Sequence, residues 1–334
     1  MKFGLFLSFR NAPQWARPFP QVYQEAFEQA VFAEKLGYDA IWLTEHHFVE
    51  DGYSPSLFPI ASAIAARTTR IKIGTFVLLV PFYHPVRLAE DSATVDIISN
   101  GRLMLGVSAG YRAPEFAGYG IPWKDRAPML DECLEVLLRC WQEECFSHKG
   151  RFYNLTDVRV VPKPVQKPHP PLYYGGSSNA ALRRFARLGI KGWAGGPLTG
   201  ERYKQLVAEL TKQGRSANEV FFLCQLFTWV SASKQKAWED VGEQATYIHR
   251  LYHEWNEEVR PLEGGHGGVF VKDPREDFAI GTPETAIEAI RRLQQASPAP
   301  IEQIVVTFPV AGIEHGKAMK AIELFAEKVM PVFG

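Results

Sequence analysis

Short apolar runs alternate with amphipathic helical stretches along the whole of the 334-residue chain, and this alternation constrains the fold more than any single motif. Residues 2–9 read as a buried strand, and Tyr23, Ala26, Phe27, Ala30 and Leu36 then supply an apolar helical face. The period repeats with strand 40–44, helix 59–67, a β-branched strand over 71–80, helix 86–98 and strand 102–108. Asp125 stands at the cap of a helix whose stripe of Met129, Leu130, Cys133, Leu134, Leu137, Leu138 and Trp141 keeps an i, i+3, i+4 spacing. The rhythm lapses over 146–171, where a proline-rich segment predicts an excursion hairpin and an extended loop. Strands at 172–174, 191–194 and 220–230 then alternate with helices at 179–188, 201–212 and 234–250. Residues 251–278 hold no period and contain Gly264-Gly265-His266-Gly267-Gly268, so they read as a long loop able to act as a lid. A helix from Thr282 through Leu293, strand 301–308 and helix 314–329 complete eight units. With no composition break to mark a linker, the pattern predicts an α/β fold, a single (β/α)8 TIM barrel with insertions over residues 1–334. An open doubly wound sheet announces itself by a glycine-rich loop after its first strand, and here that loop reads Arg10-Asn11-Ala12-Pro13.

Lys plus Arg and Asp plus Glu balance at 37 each, which leaves no basic field for nucleic acid or an anionic membrane and points to a small-molecule partner. The longest apolar stretch, 71–82, is broken by Lys72, Gly74, Thr75 and Pro81, short of the roughly 18 to 20 residues of a spanning helix. The first nine residues lack the length and cleavage site of a signal peptide, so a cytoplasmic location is expected. Cys133 and Cys140, seven apart on one helical face, Cys145, and Cys224 in an apolar strand read as core filler in a reducing compartment.

Chemistry is expected where strand 40–44 runs into Glu45-His46-His47, because the carboxyl ends of parallel strands are where loops converge on a ligand. Adjacent histidines in extended chain point apart, and no His-x3-His or Cys-x2-Cys pair accompanies them, so no metal site is predicted. One histidine can simply cap a loop or satisfy a buried carboxylate; an imidazole oriented by a carboxylate is also an acid/base near neutral pH. Gly175-Gly176-Ser177-Ser178-Asn179 leads from a strand into a helix, either an ordinary cap or a phosphate site. Gly106-Val107-Ser108-Ala109-Gly110 fits a hydrolase nucleophile elbow, but 109–120 holds Pro114, three glycines and no helical period where the elbow requires a helix. His84 before a proline reads as a turn residue and Arg87 as a surface ion pair. Neither a dinucleotide fingerprint nor a nucleotide P-loop is present.

Taken together, several of these stretches resemble the bacterial-luciferase-like flavin-dependent monooxygenases over nearly the whole chain. They are Met1-Lys2-Phe3-Gly4, Gly37-Tyr38-Asp39 through Glu45-His46-His47-Phe48, Gly74-Thr75 through His84-Pro85-Val86-Arg87, Asn100-Gly101-Arg102, the 175–179 turn and Gly281-Thr282-Pro283-Glu284. The resemblance implies reduced FMN as a co-substrate that reacts with O2 to a C4a-hydroperoxide and oxygenates a small organic substrate. It implies that His46 is the catalytic histidine, with Glu45 beside it, and that Thr75, Phe76, Ser108, Gly176, Ser177 and Ser178 contact the cofactor. A non-prolyl cis peptide is expected at Thr75-Phe76. Absence of a dinucleotide site implies that a separate NAD(P)H:flavin reductase supplies the reduced flavin. The resemblance and the small apolar set Ala61, Ala63, Ile64, Ala65 and Ala66 imply a homodimer. Two departures stand out: Ala109 replaces luciferase's phosphate-binding arginine, with Arg112 the nearest substitute, and Ser108 replaces its reactive cysteine. An F420-dependent oxidoreductase on the same barrel and a non-catalytic flavin-binding protein are the alternatives.

Overall fold

The computed structural model describes residues 1–176, 178–263 and 273–334, with backbone alone over 258–263. Eight parallel strands close into a barrel: β1 Lys2–Leu7, β2 Ala40–Leu43, β3 Lys72–Leu79, β4 Leu103–Ser108, β5 Leu172–Gly175, β6 Gly192–Gly195, β7 Phe221–Val230 and β8 Ile301–Thr307. Closure runs through β8 beside β1, with Gly4 opposite Val305, and through β6 beside β7, with Trp193 opposite Phe222. This is the (β/α)8 fold that the alternation predicts. The expected excursion is an antiparallel hairpin, Phe146–Lys149 with Asn154–Val158.

The barrel is filled, not hollow. Its inner layer holds Phe6, Trp42, Phe76, Met104, Tyr173, Leu223 and Val305, while a second apolar cluster lies between strands and helices. Trp42 fits inside because the residues flanking it on β1 and β3 are glycines: a Cβ at Gly4 or Gly74 would lie 2.5 or 2.3 Å from the indole. The indole N–H, which could not be buried unpaired, donates to Gln303 Oε1 at 2.9 Å.

Three expectations change. Residues 251–263 are not loop: the helix that begins at Lys234 continues to Glu263. Its buried side past residue 246 is Tyr247, Ile248, His249 and Trp255, with Leu251 and Tyr252 partly buried, a helical spacing carried largely by aromatic rings rather than aliphatics. The glycine run 264–268 lies outside the described residues. Second, 113–118 is helical, Ala113–Gly118, started by Pro114 at a position where a missing N–H costs nothing. Third, Cys145 is exposed, unlike the buried Cys133, Cys140 and Cys224. Asp125 does occupy a cap position, but its carboxylate goes to Arg151 rather than to the helix backbone. A short strand, Ala279–Gly281, pairs with the end of β7 and is too brief to have been legible. Among the described residues no helix is long and apolar enough to cross a membrane.

Candidate active site

The site forms at the carboxyl ends of β2 and β4. Extended chain sends successive side chains to opposite sides, so Glu45 and His47 leave β2 in one direction and His46 in the other. Glu45 accepts hydrogen bonds from the Leu79 backbone N–H and the Tyr83 hydroxyl, both at 2.7 Å, and meets His47 Nε2 at 3.0 Å. His47 Nδ1 lies 3.1 Å from the Tyr119 hydroxyl, so both of its ring nitrogens are engaged. Glu45 therefore ties the end of β2 to the end of β3 and to His47; it does not reach the His46 ring. The carboxylate that does is Glu115, from helix Ala113–Gly118, whose Oε1 lies 2.8 Å from His46 Nδ1 and accepts the His47 backbone N–H at 2.9 Å. No sequence motif marks Glu115, and it lies in a segment whose proline and glycines predict no helix.

Electrostatics then fix the His46 tautomer. Burial lowers the His46 pKa, helped by the charges of Arg10 and Arg112, and the bond from Glu115 opposes this without reversing it. Glu115 is itself held below the ordinary carboxylate range: burial pushes it up, but His46, the His47 N–H and Arg112 outweigh that. An ionised carboxylate only accepts, so Nδ1 of the neutral ring carries the proton and Nε2 keeps its lone pair. Nε2 has no hydrogen-bond partner among the described residues. The rings of Trp255, Tyr53 and Tyr111 surround it, with centroids 4.7, 4.9 and 5.6 Å from that of His46. Trp255 comes from helix Lys234–Glu263, which docks on the mouth through two further phenols. Tyr252 meets Tyr53 hydroxyl to hydroxyl at 2.8 Å, and Tyr247 donates to Asp51 Oδ2 at 3.2 Å. Asp51 in turn forms a buried ion pair with Arg10.

The expected cofactor residues fall into two groups. Ser178 caps helix Asn179–Arg187, its hydroxyl accepting from Ala181 N at 3.2 Å, and Arg202 hydrogen-bonds Asn179 beside the same helix start. That pairing of a helix amino end with a guanidinium suits a phosphate, and Arg202 carried no sequence signal. Gly176 is exposed there, with Ala181 Cβ 2.8 Å from where its own Cβ would stand; Ser177 lies outside the described residues. The second group, Thr75, Phe76 and Ser108, lies on β3 and β4. Gly106 and Gly175 let β4 and β5 close on β3: a Cβ on Gly106 would meet Thr75 O at 2.2 Å, and one on Gly175 would meet Val77 at 3.1 Å. These glycines answer to the packing of β3, and the residues that fit a cofactor are those at the helix start, where Ser178 and Arg202 suit a phosphate. Thr75 spends its hydroxyl on Gly106 O at 2.7 Å, Phe76 turns inward against Trp42 and Phe6, and the Ser108 hydroxyl accepts from Gly110 N. The non-prolyl cis bond is Phe76-Val77, one residue beyond the expected Thr75-Phe76. The β3–β4 register shifts between Thr75 and Leu78, so counting along the strand slips by one. Arg112 is not free to serve the phosphate as expected: it lies 3.5 Å from Glu115 and covers Trp255. His84 starts helix Pro85–Ile98, and Arg87 pairs with Asp91 on the surface. Among the described residues no group of three or more His, Cys, Asp or Glu is placed to hold a metal.

Comparison with known proteins gives a consistent picture. The chain is 31% identical over 176 residues to the oxygenase component of flavin-dependent trigonelline monooxygenase from Acinetobacter baylyi, covering 52% of this chain and 48% of that protein. It is 32% identical over 173 residues to an F420-dependent glucose-6-phosphate dehydrogenase from Amycolatopsis mediterranei, covering 50% and 51%. It thus spans about half the length of these curated relatives. The fold superposes on the monooxygenase RslO1 from Streptomyces bottropensis with a TM-score of 0.84 at 24% identity, covering 100% of both chains. The luciferase-like monooxygenase profile matches residues 1–299, and the chain belongs to that family of oxidoreductases.

Proposed function

We propose that the protein is the oxygenase component of a two-component monooxygenase, taking externally supplied reduced FMN and O2 to oxygenate a small organic substrate. The observation that carries this reading is a buried neutral imidazole, His46, fixed at Nδ1 by Glu115 and unpartnered at Nε2 among the described residues, at the barrel mouth. Reduced flavin, when bound, supplies the two electrons that send one atom of O2 into substrate and the other into water. Ser178 and Arg202 would hold its phosphate, while Ser108, at the end of β4, would border its ring system. His46 Nε2 is the atom placed to take up and return a proton, and Glu115 stabilises the imidazolium that results. Trp255 and Tyr252 cover the mouth and keep bulk water from the reacting groups. No dinucleotide fingerprint exists to seat a nicotinamide, so we assign reduction to a separate NAD(P)H:flavin reductase. The F420-dependent relative supports a second reading, hydride transfer on the same barrel.

The test is NADH oxidation by the purified protein with FMN and O2. Negligible consumption alone, and consumption with substrate oxygenation once an FMN reductase is added, is the expected result. Stoichiometric NADH oxidation by this protein alone, free of contaminating reductase, contradicts the two-component assignment.

A further inference from the structure

Two guanidinium groups are buried beside His46, an unusual expense for a site meant to hold only an apolar substrate. Arg10, just after β1, and Arg112, after β4, are 5% and 6% exposed. Both lie against the Trp255 indole, their Cζ atoms 5.3 and 4.3 Å from the ring centroid, and Arg10 also stacks 3.9 Å over Tyr53. Burying such charges is costly unless each N–H finds an acceptor. Arg112 turns one nitrogen, Nη1, to both Glu115 and the His47 carbonyl. Arg10 is only half spent: Nη1 pairs with Asp51 Oδ2, an oxygen shared with Tyr247, whereas the buried Nη2 has no acceptor among the described residues. Asp51 Oδ1 is likewise buried and unpartnered, so the pair is held by one nitrogen and one oxygen alone, and Nη2 is left open next to an aromatic wall and to the ring that bears the free Nε2.

Building on the oxygenase reading, we propose that Arg10 Nη2 is the anchor for a carboxylate on the organic substrate, whose planar body lies along Trp255 and Tyr53. The carboxylate completes the guanidinium's hydrogen bonds, and the cationic faces on Trp255 favour an anion over a neutral isostere. Arg10 thus sets specificity and leaves the proton transfer at His46 to Glu115.

The experiment is calorimetric titration of the protein, with and without FMN, using benzoate and 4-hydroxybenzoate against their methyl esters. Acids are expected to bind about 10- to 100-fold more tightly than esters, the range of one charge-assisted hydrogen bond. The double variant Arg10→Gln/Asp51→Asn, which strands no buried charge, is expected to lose that preference while keeping the wild-type affinity for FMN. If it does not fold, Arg10→Lys takes its place: it keeps a charge for Asp51 but gives up the second nitrogen, and the acid-to-ester ratio should fall. Equal binding of acids and esters, no measurable binding of either acid, or a ratio unchanged in the variant overturns the assignment. Acid binding by a protein that takes up no flavin would uphold it while removing the oxygenase reading.

Discussion

His46 and His47 are chemically identical and adjacent, yet their surroundings give them different work. Both nitrogens of His47 are engaged, by Glu45 and Tyr119, whereas His46 is held at one nitrogen only. His46→Ala is accordingly expected to keep the fold and most of the FMN affinity but to lose at least about 100-fold in oxygenation, with reduced flavin wasted as hydrogen peroxide; coupled turnover at the wild-type rate would refute the assignment. Glu115 raises the His46 pKa against the pull of burial, so Glu115→Gln removes the main upward influence. The acid limb of the kcat/KM profile should then move to lower pH as activity falls, because the imidazole stays neutral further into acid; a limb that stays put or moves up would show that it reports another group. Ser178→Ala should weaken FMN more than riboflavin, since only FMN carries the phosphate, and equal losses in paired titrations would place the phosphate elsewhere. At this scale the sequence was partly legible. Alternation along extended chain already separates His46 from Glu45 and His47, but which distant carboxylate it meets depends on a helix 69 residues on.

Among the elements, the strands were the most legible because each is a short apolar run that must be buried on both faces. The Gly74-Thr75 pair, read from the sequence only as part of a resemblance, has a packing cause in the indole of Trp42. Gly74→Ala should cost about 1 to 3 kcal/mol in reversible denaturation, the range for overpacking a filled core, and an unchanged midpoint would mean the indole can yield. Helix Lys234–Glu263 was half missed: its carboxyl half faces the mouth with Tyr252 and Trp255, so the aliphatic stripe that identifies a core helix gives way to groups that serve the site. Local rules fail most where a segment answers to a ligand as well as to the core.

For the whole molecule, the sequence suggested self-association through the helix after β2, and the structure divides that face. Ala61, Ile64 and Ala65 are buried in the chain's own core, Ala63 is half-buried and Ala66 is exposed. Ile97 and Ile98, at the end of the next helix, are exposed. We propose a homodimer in which these residues take part, and light scattering at micromolar concentration should return twice the chain mass; a monomer would remove it. The central claim is that this barrel works with reduced FMN. Its most direct test is an anaerobic equilibrium titration of the purified protein with photoreduced FMN and, in parallel, with reduced F420. Saturable binding of reduced FMN, at least about tenfold tighter than reduced F420 and weakened by Ser178→Ala, is the predicted result; tight binding of reduced F420 with no detectable uptake of reduced FMN would contradict it.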